Sequence, residues 1–148
     1  RVLFRSVILM DKVRPYSHAL DRLRNAGLRP TRQRLALAKL LFDSHDRHVT
    51  AEILHGEALD ANVRVSLATV YNTLHQFNEA NLLREIVVDS GRSYFDTNIS
   101  DHHHIFNEDS RELMDIEEDS IGLTGLPAIA AGQEVSRIDV IVRVKNNR

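Results

Sequence analysis

The 148-residue sequence contains no cysteine. Disulfides, thiolate zinc sites and cysteine nucleophiles are therefore excluded, and any metal must be held by histidine, carboxylate or backbone oxygen, which suits a borderline or hard divalent ion. The sequence also lacks an apolar run long enough to span a membrane, and no small-residue cleavage site follows the short apolar opening of residues 1–10. We expect a cytoplasmic protein with no membrane partner. Met10 is a plausible native start, so the predicted fold begins at residue 10.

The charge is unevenly divided along the chain, although the net charge is only −2. Residues 1–84 carry 13 Lys and Arg against 8 Asp and Glu, whereas residues 85–148 carry 6 against 13. The first part is therefore basic (+5) and the second acidic (−7). Because a basic surface attracts polyanions, this asymmetry suggests a polyanion-binding module joined to a part with another role.

The first half of the chain predicts a series of short helices. Residues 18–26 and 32–42 carry apolar side chains at helical spacing, and Gly27 between them can supply the left-handed stop. A third helix should turn Ile53, Leu54 and Ala58 inward. The predicted N-caps of the second, third and fourth helices are Thr31, Thr50 and Ser66.

The fourth helix is expected to bury one face and to present the other to a partner. Its opposite face carries small or amide side chains, which are suited to meeting base edges in a DNA groove. Two strand-like runs follow at residues 83–88 and 93–96, with Gly91 in the turn between them. Short helices followed by a hairpin predict a winged helix; a small helical bundle with no nucleic-acid role is the alternative. The apolar stripe is Leu67, Val70, Tyr71, Leu74 and Phe77, and the opposite face is Ser66, Ala68, Thr69, Asn72 and Gln76.

The chain beyond Asp96 predicts three strands, at residues 101–107, 112–116 and 134–144. The last run alternates apolar and polar side chains, which is typical of a half-buried strand. Three strands in about fifty residues bury little apolar surface alone, so we expect this part to complete its core by pairing with a second copy.

Three consecutive histidines, His102 to His104, follow Asp101 and are the most unusual feature of the sequence. In an extended segment His102 and His104 share one face and His103 takes the other. Two imidazoles that project together beside a carboxylate indicate a nascent metal site. A solvated histidine run at the start of a strand is the alternative.

Several stretches resemble the ferric uptake regulator family. Residues 27–34 (GLRPTRQR), 49–52 (VTAE), 65–74 (VSLATVYNTL) and 92–96 (RSYFD) are similar to the family's second helix entry, third helix start, recognition helix and wing end. The histidine triplet falls where the family keeps a histidine-rich metal motif. The resemblance implies an α+β protein: an N-terminal winged helix-turn-helix DNA-binding domain over residues 10–96 and a small α/β dimerisation and metal- or haem-sensing domain over residues 97–148.

The resemblance also implies site residues, partners and the absence of enzymatic activity. A homodimer would bind double-stranded operator DNA, and a divalent ion (Fe, Mn or Zn) would lie at the hinge. The implied metal ligands are His48, Asp96, His102, His104 and Asp115. Base edges would be met by Ser66, Thr69, Tyr71 and Asn72, and phosphates by Arg14, Arg29, Arg32 and Arg92. Tyr71 could instead belong to the core, because it lies on the apolar stripe.

The sequence departs from the family pattern in ways that favour one branch. Asn107 to Ser110 stand where relatives carry a Cys-x-x-Cys pair, so the family's structural zinc cannot form. Asn72 replaces a common Arg of the recognition helix. A cysteine-free chain with Asp101 before the triplet resembles the iron response regulator branch, which is implied to bind DNA when iron is scarce and to release it on meeting haem, with His102, His103 and His104 in haem contact.

Two other readings stay open. A divalent-metal-activated repressor of the parent type would use the hinge site with Fe, Mn or Zn as corepressor. A metallohydrolase using His102, His104 and Asp96 on an activated water is disfavoured, because no general base is evident and a DNA-reading helix precedes the site.

Overall fold

The computed structural model describes residues 17–117 and 119–147, so the predicted phosphate contact Arg14 lies outside the described residues. The chain divides into two compact units, the first ending at Ile99 and the second beginning at Ser100. In chain order the elements are α1 (Ser17–Asn25), α2 (Arg32–Phe42), β1 (His48–Val49), α3 (Ala51–Asp60), α4 (Leu67–Glu79), β2 (Arg84–Asp89), β3 (Arg92–Asp96), β4 (His104–Asn107), β5 (Leu113–Asp115) and β6 (Ile141–Val144).

Three helices of the first unit begin directly after a residue whose side chain caps them. The hydroxyl groups of Thr31, Thr50 and Ser66 each accept a hydrogen bond from the backbone amide three residues later, as N-caps do. Gly27 follows α1 with a φ of +76°, a conformation that glycine adopts without steric cost. The predicted caps and the glycine stop are therefore confirmed.

Behind the helices lies an antiparallel sheet in the order β1-β3-β2. β2 and β3 form the predicted hairpin, with Gly91 at φ +81° in the turn. β1 was not predicted; it pairs His48 with Asp96 and Val49 with Phe95. The four helices, the short strand β1 and the hairpin of β2 and β3 form a winged helix-turn-helix, and the protein is of mixed α and β structure, as predicted.

One apolar core holds the first unit together, and α4 runs along it. Val70, Leu74 and Phe77 are fully buried, but Leu67 and Tyr71 of the predicted stripe are 42% and 50% exposed. Tyr71 lies about 100° around the helix from the neighbouring Val70, at the edge of the stripe. Ile53 of α3 was also predicted inward and is 44% exposed. The core consists of Ala19, Leu23, Leu37, Ala38, Leu41, Phe42, Val49, Ala51, Leu54, Ala58, Val70, Leu74, Phe77, Leu83 and Phe95.

The second unit has a three-stranded sheet in the order β5-β4-β6, with β4 antiparallel to β5 and parallel to β6. The predicted strand over residues 134–144 was too long, because only Ile141–Val144 finds a hydrogen-bonding neighbour in β4. Ile138 and Val142 of its predicted inner face are 39% and 38% exposed. In the part of the chain that the structure describes, no helix has the length and apolar character needed to cross a membrane.

Candidate metal centre and nucleic-acid interface

The exposed face of α4 carries the side chains that were predicted to meet bases. Ser66, Tyr71 and Asn72 are exposed, and Thr69 is half-buried between them and the core. The Ser66 hydroxyl accepts a hydrogen bond from the Thr69 amide at 3.0 Å and donates to the Thr69 hydroxyl at 2.9 Å. The start of the helix therefore has a fixed polar surface, with Asn72 one turn further along.

Tyr71 lies outside the core, so the alternative core interpretation of this residue was wrong. Its side chain is 50% exposed, and its ring makes an edge contact with the His75 ring, with centroids 4.4 Å apart. His75 in turn packs edge-on against Phe95, with centroids 5.3 Å apart. The ring is thus supported on one side and leaves its hydroxyl free to meet a ligand.

Of the arginines predicted to contact phosphates, those that the structure describes lie on the surface. Arg29 and Arg32 are exposed around the start of α2. Arg92 is exposed at the hairpin turn, where its Nε lies 3.7 Å from Asp89 Oδ1. Exposed guanidinium groups on long side chains can reach phosphate oxygens without a change in the fold.

In the described part of the first unit, His48 and Asp96 form a pair of possible metal ligands. The two residues face each other across β1 and β3, with His48 Nε2 at 3.1 Å from Asp96 Oδ2. The other carboxylate oxygen, Asp96 Oδ1, accepts a hydrogen bond from the Asn98 amide at 2.9 Å. One oxygen is therefore used to form the turn after β3, and the other is directed at the imidazole.

The segment before His48 is fastened to the end of β3, which fixes this pair. The Arg47 amide donates to the Thr97 hydroxyl at 2.9 Å, and the Thr97 amide donates to the Arg47 carbonyl at 3.0 Å. The Arg47 guanidinium also forms a salt bridge with Glu57 of α3. Arg47 and Thr97 were not among the predicted site residues, because their role depends on a contact between positions 50 residues apart.

The second unit holds a second group of ligands, His102, His104 and Asp115. His102 Nε2 and His104 Nε2 lie 3.0 Å and 3.3 Å from the same oxygen, Asp115 Oδ1. The register pair between His104 and Asp115 across β4 and β5 brings them together. One ligand atom from each of the three residues lies within 4.8 Å of the others.

The backbone directs His102 for metal binding. Its Nδ1 lies 2.6 Å from the Ser100 carbonyl oxygen, which can only accept, so Nδ1 carries a proton. In the neutral ring the Nε2 lone pair then faces the lone pairs of Asp115 Oδ1, an unfavourable contact unless a proton or a cation lies between them. A ligating histidine whose other nitrogen donates to a carbonyl is the usual arrangement in metal sites. These residues therefore fit a divalent ion.

His103 immediately precedes β4 and is directed differently. Its Nδ1 accepts a hydrogen bond from the Val140 amide at 3.1 Å, so the neutral ring carries its proton on Nε2. It lines a cleft of about 480 Å³ that also includes Glu117, Asp119 and Ile138. The structure thus directs Nε2 of His102 and His104 at Asp115, whereas His103 bonds to the Val140 amide.

Comparison with known proteins gives the family. The family model described as the ferric uptake regulator family matches residues 25–141. The chain belongs to the ferric uptake regulator family. The family is one of regulators, and this favours a regulatory role over an enzymatic one for the chain. The ferric uptake regulation protein of Shigella flexneri is 34% identical over 100 residues, which are 67% of this chain and 68% of that protein.

Two solved structures share the fold of this ferric uptake regulator family member. The Pseudomonas aeruginosa ferric uptake regulator, solved with manganese, gives a TM-score of 0.64 at 24% identity and covers 88% of this chain and 98% of its own. The Vibrio cholerae ferric uptake regulator, described as having DNA-binding domains, gives a TM-score of 0.66 at 22% identity over 85% of this chain and 98% of its own. At these identities the likeness establishes the fold.

Proposed function

We propose that this chain is a DNA-binding transcriptional regulator of iron homeostasis that binds operator DNA as a dimer and responds to metal. α4 would lie in the major groove, with Ser66, Thr69, Tyr71 and Asn72 nearest the bases. The exposed Arg29, Arg32 and Arg92 would neutralise phosphates, and Arg14 is proposed to do so on sequence grounds alone. The capped, well-packed helix and its polar outer face support this reading.

The observation that carries the proposal is that each unit presents imidazole and carboxylate groups directed at one another. His48 and Asp96 do so in the first unit, and His102, His104 and Asp115 in the second. We propose that one divalent ion takes ligands from both groups at the hinge. Nitrogen and carboxylate ligands without thiolate suit Fe²⁺, Mn²⁺ or Zn²⁺. An ion held by both units would restrict their relative orientation and so the spacing of the DNA-reading helices.

A second copy of the chain is the proposed partner of the second unit. Large apolar side chains are exposed along its connecting segment, among them Leu123, Leu126 and Ile129. Three strands bury too little apolar surface to be stable alone, and a dimer would cover these side chains. A dimer would also present two copies of α4, as a two-fold operator requires.

Two versions of the regulation are proposed, and they predict opposite responses. In the iron-response version the dimer binds DNA when iron is scarce and releases it on meeting haem through His102, His103 and His104. Nε2 of His102 faces Asp115 Oδ1, and Nδ1 of His103 accepts from the Val140 amide, so haem binding through either atom would displace a contact. In the second version a divalent ion is the corepressor, which the imidazole and carboxylate pairs within each unit favour.

The test is operator affinity as a function of the added ligand. An operator would first be selected from a pool of random duplexes, and the protein would then be stripped with a chelator. Mn²⁺, Zn²⁺, Fe²⁺ or haem would be added in separate arms, with the Asp96→Asn variant as a comparison. Dependence on a divalent ion supports the corepressor version, and dissociation by haem supports the iron-response version. A protein that selects no sequence under any condition would refute the proposed function.

A further inference from the structure

A guanidinium group connects α2 with the reading helix α4. Arg34 of α2 donates from Nε and Nη2 to the side-chain oxygen Oε1 of Gln76, at 3.3 Å and 3.0 Å. Its Nη1 donates to the Arg29 carbonyl at 2.9 Å, in the turn before α2. The guanidinium is thus held from two sides, and it fixes the end of the Gln76 side chain.

The chemistry of the contact decides which way the Gln76 amide faces. A guanidinium has only donors, so the amide oxygen must lie against it and the amide nitrogen must point away. The oxygen has two acceptor positions, and the two Arg34 N–H groups occupy both. Toward solvent, Gln76 therefore offers two N–H donors and no acceptor.

Gln76 lies on the same face of α4 as the side chains expected to meet bases. Asn72 is one turn before it and Thr69 two turns before it, since residues four and seven apart share a helical face. Thr69, Asn72, Gln76 and Arg34 line one open cleft of about 470 Å³. Gln76 itself is exposed, so its amide nitrogen can reach a ligand in that cleft.

We propose that Gln76 reads a base through its amide N–H groups alone, and that Arg34 is the positioning residue that sets this preference. A glutamine with a free amide pairs with adenine, donating to N7 and accepting from the N6 amino group. With its oxygen occupied, Gln76 cannot accept from adenine. It instead matches guanine, which presents the acceptors O6 and N7 side by side. This inference rests on the proposed DNA-binding function.

The experiment compares the base preferences of three proteins selected against random duplexes under the same conditions. The wild-type protein should select guanine at one position of each half-site. Gln76→Met keeps the length of the side chain but removes the donors, so it should lose the preference there and bind the wild-type operator about tenfold more weakly. Arg34→Met frees the amide oxygen, so the preference at that position should move from guanine to adenine.

The control is Arg24→Met, which removes the same charge from an exposed position of α1. It should leave the selected base unchanged, and circular dichroism would show that all variants fold. If Gln76→Met selects the same bases as the wild type, the inference is wrong although the proposed function stands. If Arg34→Met weakens all sequences equally without changing the preference, Arg34 contacts phosphate only and does not position Gln76. If the wild type selects no sequence, both the inference and the proposed function fail.

Discussion

The carbonyl oxygen of Ser100 accepts a hydrogen bond from Nδ1 of His102 at 2.6 Å, and this contact leaves Nε2 as the ring nitrogen that faces Asp115. The Nε2 lone pair then points at Asp115, where His104 Nε2 also converges. His103, the neighbour in sequence, has the opposite arrangement, with Nδ1 accepting from Val140. Hydrogen bonds to the backbone therefore make Nδ1 a donor in His102 and an acceptor in His103, although the two residues are adjacent.

His102→Ala is expected to lower the affinity for Mn²⁺ or Zn²⁺ by at least about 100-fold, since loss of a group that merely orients a ligand already costs about 10- to 100-fold. Titration of the stripped protein against a competing chelator measures this. His103→Ala is the matched control, and it should keep the divalent-ion affinity within a few-fold. Equal losses in the two variants would show that the triplet acts as an undifferentiated histidine run.

Asp96→Asn tests the carboxylate of the first unit. The variant can still accept the Asn98 amide hydrogen bond through its remaining oxygen, so the turn after β3 should persist. It loses the charge that faces His48, and the ion affinity should fall by about tenfold or more, as for loss of a charged ligand. Asp89→Asn, at an exposed position of the hairpin, is the control. An unchanged affinity in Asp96→Asn would remove this residue from the proposed ligand set.

The sequence predicted the helices well because their signals are local. Caps such as Thr50 act on residues three positions away, so the pattern alone determines the helix start. It could not predict β1, a two-residue strand that exists because His48 pairs with Asp96, 48 positions further on. The same limit applies to Arg47 and Thr97, whose positioning role follows from that pairing.

Predictions from hydrophobic periodicity also overestimated how many side chains are buried. Tyr71 has the spacing of a core residue but lies at the edge of the apolar stripe, about 100° around α4 from the buried Val70. In the second unit, alternation from residue 134 predicted one long strand, yet pairing with β4 stops at Ile141–Val144. Periodicity reports which side chains share a face; it does not report whether another element covers that face.

The difference between buried and exposed positions of α4 gives a prediction about stability. Leu74 is fully buried in the core, so Leu74→Ala should lower the free energy of unfolding by about 2–5 kcal/mol. Leu67→Ala removes the same atoms from a side chain that is 42% exposed and should cost clearly less. Urea unfolding followed by circular dichroism measures both. Similar losses would mean that the start of α4 is packed more tightly than its exposure indicates.

The salt dependence of DNA binding tests the proposed phosphate contacts. Arg32 is exposed at the start of α2, so Arg32→Ala should weaken binding to all sequences alike. It should reduce the slope of log affinity against log salt by about 0.9 for each protomer, or about 1.8 for the dimer. Lys145→Ala, which removes one positive charge from the second unit, serves as the control and should leave the slope unchanged. The measurement is operator affinity at several salt concentrations, with a scrambled duplex alongside. If the Arg32→Ala slope equals that of the wild type, Arg32 makes no phosphate contact, because release of counterions from the contacted phosphate is what produces the slope.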